Sequence, residues 1–415
     1  MTVIVVILAL YVAANLGAND VANSMGTSVG SKALTLKQAL AVAGILEFTG
    51  AVLFGGGVSE TLATGVIHPS EFVSVETNGR SPLLLGMVAV TIACGLWLQI
   101  ATTKGLPVSS SHAIVGAIAG FGMVAGGIDA VNWRTIGTIS ITWVLTPVVS
   151  AIIAAGFYSI IKIGILEHPH PVLQYREWIP WLSVAVVGIF GSIVLPQTTA
   201  PLTSPLRSHF GWQLPPQDLP LALAAISTIA LTAINLNKWT GSTADQKKAV
   251  EKQLARFQII SACFVAFAHG SNDVGNAIAP LATIIHIQNT GTIPDANFHV
   301  PLWILLLGGA GIVTGLGIWG GKVIQTIGEN ITKLEPSSGF SAELATATTV
   351  LIASSLGLPV STSHALVGGV IGIGLTQNLQ GLRWQTIKSI ILAWVITIPI
   401  AAVSGALLFT LIRFL

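Results

Sequence analysis

Long apolar runs separated by short polar gaps set the pattern of this chain. The runs fall near 1–16, 38–58, 83–101, 106–127, 135–163, 181–196, 219–237, 257–270, 300–320, 341–356, 358–376 and 386–412. A helix needs about 20 apolar residues to cross a hydrocarbon core of about 30 Å. None of these runs alternates with period two, so a barrel is not indicated. The pattern predicts an all-α polytopic membrane protein of about 10–12 transmembrane segments. Composition agrees. Only 8% of the 415 residues are charged, where a soluble chain carries about 25%, and mean hydropathy is +0.80. That inventory excludes a cytosolic enzyme, a nucleic-acid binder and a disordered chain. Cys94 and Cys263 lie in apolar runs and read as small core hydrophobes. The N-terminal run has no Lys or Arg before a polar motif, so it reads as a retained first helix and not as a signal peptide.

Two polar stretches punctuate the pattern. Asn237 to Arg256 holds five Lys/Arg and two Asp/Glu, about a fifth of all charges. By the positive-inside rule it is a cytoplasmic linker. Thr198 to Asp218 is rich in Pro, lies one span earlier, and is expected on the other side.

Internal repeats organise the rest. Gly17-Ala18-Asn19-Asp20-Val21-Ala22-Asn23 recurs as Gly270-Ser271-Asn272-Asp273-Val274-Gly275-Asn276, at an offset of 253. Leu106-Pro107-Val108-Ser109-Ser110-Ser111-His112-Ala113 recurs as Leu358-Pro359-Val360-Ser361-Thr362-Ser363-His364-Ala365, at an offset of 252. That match extends to Gly122 and Gly374 with 11 identities in 17 positions, and Trp133/Trp384 and Pro147/Pro399 follow. Two motifs in one order at one spacing mean duplication. The division is 1–236, a first half with extra spans; 237–256, the linker; and 257–415, the second half. Seven apolar segments separate the two copies of the first motif, which turns one copy over; a re-entrant 106–127 would leave the halves parallel. The preferred reading is an inverted-topology repeat, with broken or re-entrant helices at the midplane.

An ionised Asp at the bilayer centre costs at least about 2.5–3.5 kcal/mol, so Asp20 and Asp273 need partners. Lys104 is the only basic residue near either motif pair, and Leu356 takes its place in the second half. A bound cation suits both halves. Asp20 and Asn23, like Asp273 and Asn276, are three apart and share a helix face. The small residues beside them are expected to let the helix break and offer carbonyls, with Asn19 and Asn272 close by. A packing role for these side chains is the competing reading.

Ser109 and Ser361 follow Pro and suit helix N-caps. A helix N-terminus inside the membrane offers free N–H groups and about half a positive charge, with Ser110, Ser111, Thr362 and Ser363 adding hydroxyls. Such a set suits an oxyanion that must also leave; back-bonding to the helix is the alternative. His112 and His364 read as making structural hydrogen bonds to the opposite hairpin in preference to relaying protons, with coupling or gating as the lesser reading. Glu47 and Glu343, inside apolar runs, are candidates for coupling or gating, and Glu60 is placed near an end. No nucleophile–base pair, zinc spacing, Walker loop or dinucleotide fingerprint occurs, so no enzyme activity and no cofactor are expected.

The paired motifs resemble those of the inorganic phosphate transporter family. The resemblance covers nearly the whole chain except the linker and the Pro-rich stretch. It implies a sodium/phosphate symporter of prokaryotic type, a multi-pass protein of the cell membrane with no enzymatic role. By that resemblance Asn19, Asp20, Asn23, Asn272, Asp273 and Asn276 surround Na⁺ and phosphate, and the Ser/Thr residues surround phosphate. The partners implied are inorganic phosphate, Na⁺ or H⁺, the lipid bilayer and, as an assembly left open, a homodimer. A proton-coupled phosphate or sulfate permease, and an anion channel, are the alternatives. Charge favours coupling: phosphate adds one to two negative charges to two Asp, and two helix N-termini offset only about one.

Overall fold

The computed structural model describes residues 2–72, 81–104, 108–210, 217–237, 245–295, 297–321, 324, 334–377 and 383–414. Its helices are α1 (Thr2–Gly30), α2 (Leu36–Phe54), α3 (Gly56–Glu60), α4 (Pro82–Thr103), α5 (Ser110–Gly126), α6 (Trp133–Ile161), α7 (Pro171–Phe210), α8 (Asp218–Asn237), α9 (Gln246–Thr290), α10 (Leu302–Gly315), α11 (Pro336–Ser355), α12 (Thr362–Gln377) and α13 (Trp384–Ile412). Nine helices among the described residues are long and apolar enough to span a bilayer. The described chain holds no strand, only one bridge between Ile67 and Val131. α5 and α12 are too short to cross alone. Each returns along the preceding helix as the second arm of a hairpin, α4/α5 and α11/α12.

Local signals place the ends. Thr35 and Gln38 form a capping box that starts α2, and the Asp245 side chain accepts from the Lys248 amide to start α9. Gly291, at φ 68°, closes α9 in the left-handed conformation that glycine adopts without strain.

Three expectations need correction. The linker is not a loop throughout: from Gln246 it forms the first turns of α9, whose 45 residues run into the second-half motif, while 238–244 lie outside the described residues. The Pro-rich stretch continues α7 to Phe210. And α1 and α9 pass through the Asn-Asp motifs unbroken. The motif glycines serve close packing instead. A Cβ on Gly17 would strike the backbone of Ile312 in α10, and one on Gly270 the backbone of Glu47 in α2.

That packing is reciprocal between the halves. Gly270 and Gly50 bring α9 against α2, as Gly17 and Gly315 bring α1 against α10. Gly116 and Gly120 of α5 lie on Ile398 and Ala402 of α13, as Gly368 and Gly372 of α12 lie on Pro147 and Ala151 of α6. These glycine contacts come in matched pairs, one from the first half to the second and one from the second to the first. Between apolar helices in lipid, backbone contact at small residues supplies the packing energy. The repeated helices α1 and α9 also run in opposite directions. Asp20 meets His269, and eleven residues further on Ser31, just past the end of α1, meets Gln258, eleven residues back along α9.

Candidate functional site

The two unbroken motif helices cross beside the starts of α5 and α12, and the polar residues of all four elements are buried there. Ser109 and Ser361 are N-caps, each accepting from the amide three residues on, His112 and His364. The two helix starts touch: the Ser111 hydroxyl donates to the Val360 carbonyl at 2.6 Å. Pro107 lies outside the described residues. The His112 and His364 rings meet edge to face at 4.7 Å, and each Nδ1 faces a backbone carbonyl of the opposite half, Trp394 and Trp143. Their rings join the two hairpins, while their Nδ1 contacts reach past the opposite hairpin to α13 and α6.

α9 organises the polar centre. The Asn276 amide donates to the Ser110 and Ser111 hydroxyls at 3.1 and 3.3 Å. The Thr362 hydroxyl donates to Asp273 Oδ2 at 3.4 Å. Asn272 bonds the hairpin through both ends of its amide: its oxygen accepts from the Val360 amide, and its NH₂ donates to the Leu358 carbonyl and the Ser354 hydroxyl. It pins the turn of the α11/α12 hairpin, and its oxygen keeps one lone pair beyond the Val360 bond. Ser361 and Ser363 bond each other at 2.9 Å. In α1, Asn23 donates to Asp20 Oδ1 at 3.0 Å, and the buried Asn19 side chain makes no hydrogen bond among the described residues.

The side chain set between the acidic groups is one that the repeats do not mark, His269. Lys104 is exposed at the end of α4. His269 is fully buried, with Nε2 at 3.0 Å from Asp273 Oδ2 and 4.0 Å from Asp20 Oδ2, and Nδ1 at 3.2 Å from Glu47 Oε1. The legible signal was its place four residues before Asp273, one helical turn away on the same face. Its counterpart in the first half is Leu16, so a search for duplicated polar residues could not find it. Glu47 also accepts from the Ser24 hydroxyl. Glu343 lies elsewhere. Its carboxylate accepts from Thr27, Ser28, Ser261 and Gln258, a separate buried cluster between α1, α9 and α11. Glu60 pairs with the exposed His299 at 3.0 Å.

Three buried oxygens of this centre have no hydrogen-bond partner among the described residues: Glu47 Oε2, Asp273 Oδ1 and Asn276 Oδ1. One ligand atom from each of Asp20, His269 and Asp273 falls within 4.8 Å of the others. Buried oxygens left without donors are what a hard cation satisfies.

A model of the phosphate transporter family matches residues 16–405. A protein of Pyrococcus furiosus named as a phosphate permease is 38% identical over 98% of this chain and 95% of its own length. One so named in Chlamydia trachomatis is 39% identical over 100% and 98%. The chloroplastic inorganic phosphate transporter 2-1 of Arabidopsis thaliana is 38% identical over 94% and 69%. A solved structure titled as the sodium-dependent phosphate transporter superimposes with a TM-score of 0.88 at 37% identity, over 100% and 99% of the two chains.

Proposed function

We propose that this chain, which belongs to the phosphate transporter family, imports inorganic phosphate across the cell membrane by symport with Na⁺. The observation that carries the cation is the set of orphaned oxygens on Asp273, Asn276 and Glu47 around His269. Ionised Asp20, Asp273 and Glu47 hold three negative charges, and a protonated His269 would neutralise one. Two monovalent cations balance the remainder. Phosphate adds its own charge, which the starts of α5 and α12 offset by about half a charge each. A loaded site without cations would leave that charge uncompensated in a low dielectric. The sodium dependence named for the structural relative agrees with this reading. The two halves act as inverted repeats about the site; the opposed run of α1 and α9 and the reciprocal helix contacts support that arrangement.

The decisive experiment is uptake of radiolabelled phosphate by proteoliposomes, with and without a Na⁺ gradient and with sulfate as competitor. Uptake driven by Na⁺ and untouched by sulfate is expected. Uptake driven only by a proton gradient replaces Na⁺ with H⁺, uptake indifferent to both makes the protein a channel, and full competition by sulfate widens the substrate class.

The anion is assigned to the hydroxyls and amides at the starts of α5 and α12. Removing one hydroxyl removes a donor to a charged group, worth about 1.5–3 kcal/mol. Ser110→Ala should therefore raise the phosphate concentration for half-maximal uptake roughly 10- to 150-fold, and Thr362→Ala less, since the Thr362 hydroxyl donates to Asp273. Activity persists at high phosphate because the backbone donors remain. Variants that lower thermal stability but leave that concentration unchanged would place the anion elsewhere.

A further inference from the structure

On the outer side of α2, away from Glu47, an apolar groove of 840 Å³ runs between α2 and α10. We propose that this groove seats one acyl chain of an anionic phospholipid from the cytoplasmic leaflet, with its phosphodiester held by Lys37.

The walls are Ile45 and Phe48 on one side and Val313 and Gly317 on the other. Ile45 is 68% exposed, and a Cβ on Gly317 would meet nothing within 4 Å. The two threonines in the wall are apolar in effect, since Thr49 and Thr314 bond back to the carbonyls of Ile45 and Ala310 in their own helices. Lys37 stands at one mouth, exposed and without an ion pair among the described residues. From Lys37 to Thr49 the groove measures about 18 Å at 1.5 Å per residue. One leaflet of the hydrocarbon core is about 15 Å deep. The groove therefore matches one chain hanging from the headgroup level.

The leaflet follows from the fold. α2 begins where α1 ends, and Ser31 at that end bonds Gln258 of α9 at 2.7 Å. The basic segment that opens α9 carries Lys247, Lys248, Lys252 and Arg256, so this end of the bundle takes the cytoplasmic side. Anionic lipids are concentrated there. A second copy of the chain suits the groove less well. Two-fold symmetry about the membrane normal would set both Lys37 at one depth, facing each other. The groove backs the helix that delivers Glu47 to His269, so its occupant bears on the pose of that carboxylate.

The test is native mass spectrometry of purified wild type, Lys37→Ala and Gly317→Leu after exchange into phosphatidylglycerol or phosphatidylcholine, with delipidated unfolding temperature as the control for fold. Wild type should retain one phosphatidylglycerol per chain, preferred over phosphatidylcholine about fivefold, the weight of one lysine at an anionic surface. Lys37→Ala should erase that preference while still retaining lipid. Gly317→Leu, which fills the groove, should lose both lipids. Lipid retention unchanged in both variants overturns the proposal. A wild-type dimer that Gly317→Leu dissociates without altering the lipid count also overturns it, and assigns the groove to a second copy.

Discussion

Asp273→Asn should abolish sodium-activated phosphate uptake at ordinary Na⁺ concentrations and leave the purified protein folded. Asp273 Oδ2 receives the Thr362 hydroxyl and lies 3.0 Å from His269, while Oδ1 has no donor among the described residues. Asn keeps the shape and one carbonyl oxygen, so the bond from Thr362 survives. It loses the charge that balances His269 and a bound cation. Removing one member of a buried charge set costs about 3–5 kcal/mol. Taken from the cation-loaded state, that raises the Na⁺ needed for half-activation roughly 100-fold or more. Asp20→Asn should act in the same direction with a smaller effect. Its Oδ1 already holds the Asn23 amide, and its Oδ2 is 4.0 Å from His269. The readout is the Na⁺ activation curve in proteoliposomes, beside thermal unfolding of each variant. A curve for Asp273→Asn that overlays wild type removes Asp273 from the coupling site.

Gly270→Ala and Gly17→Ala should destabilise the fold to a similar degree and separate in their effect on sodium. Each added Cβ meets main chain, which cannot swing aside as a side chain would. Overpacking of this kind costs about 1–3 kcal/mol. Relief at Gly270 comes by moving α2 away from α9, and Glu47 moves with it, lengthening its 3.2 Å contact with His269. Relief at Gly17 moves α10 at Ile312, which brings no polar side chain to the centre. Both variants should lose thermal stability, and Gly270→Ala alone should demand several-fold more Na⁺. Equal Na⁺ activation in the two would show that Glu47 plays no part in cation binding.

Membrane class, helical content and duplication were legible in the linear order of residues. Apolar length and charge scarcity are sums over segments, and a repeat is identity at a constant offset, so neither needs a tertiary contact. The helix starts at Ser109 and Ser361 were legible for the same reason: an N-cap bonds the amide three residues on, within one turn of chain. What the glycines of the first motif do was not. A glycine beside a buried Asp is consistent with a broken helix or with a close crossing. Only the position of Ile312 and Glu47, remote in sequence, decides for the crossing, and α1 and α9 run through it unbroken. Asn19 and Asn272 are equivalent by repeat, yet Asn272 holds a hairpin turn while Asn19 makes no hydrogen bond among the described residues, because the hairpins dock unequally on their motif helices. His269 marks the limit most clearly. Duplication draws attention to what the halves share, and the residue that joins Asp20, Asp273 and Glu47 occurs in one half only. Its role exists because α1 and α2 bring carboxylates of the first half to one turn of α9, and side chains from three helices become neighbours only when the helices pack.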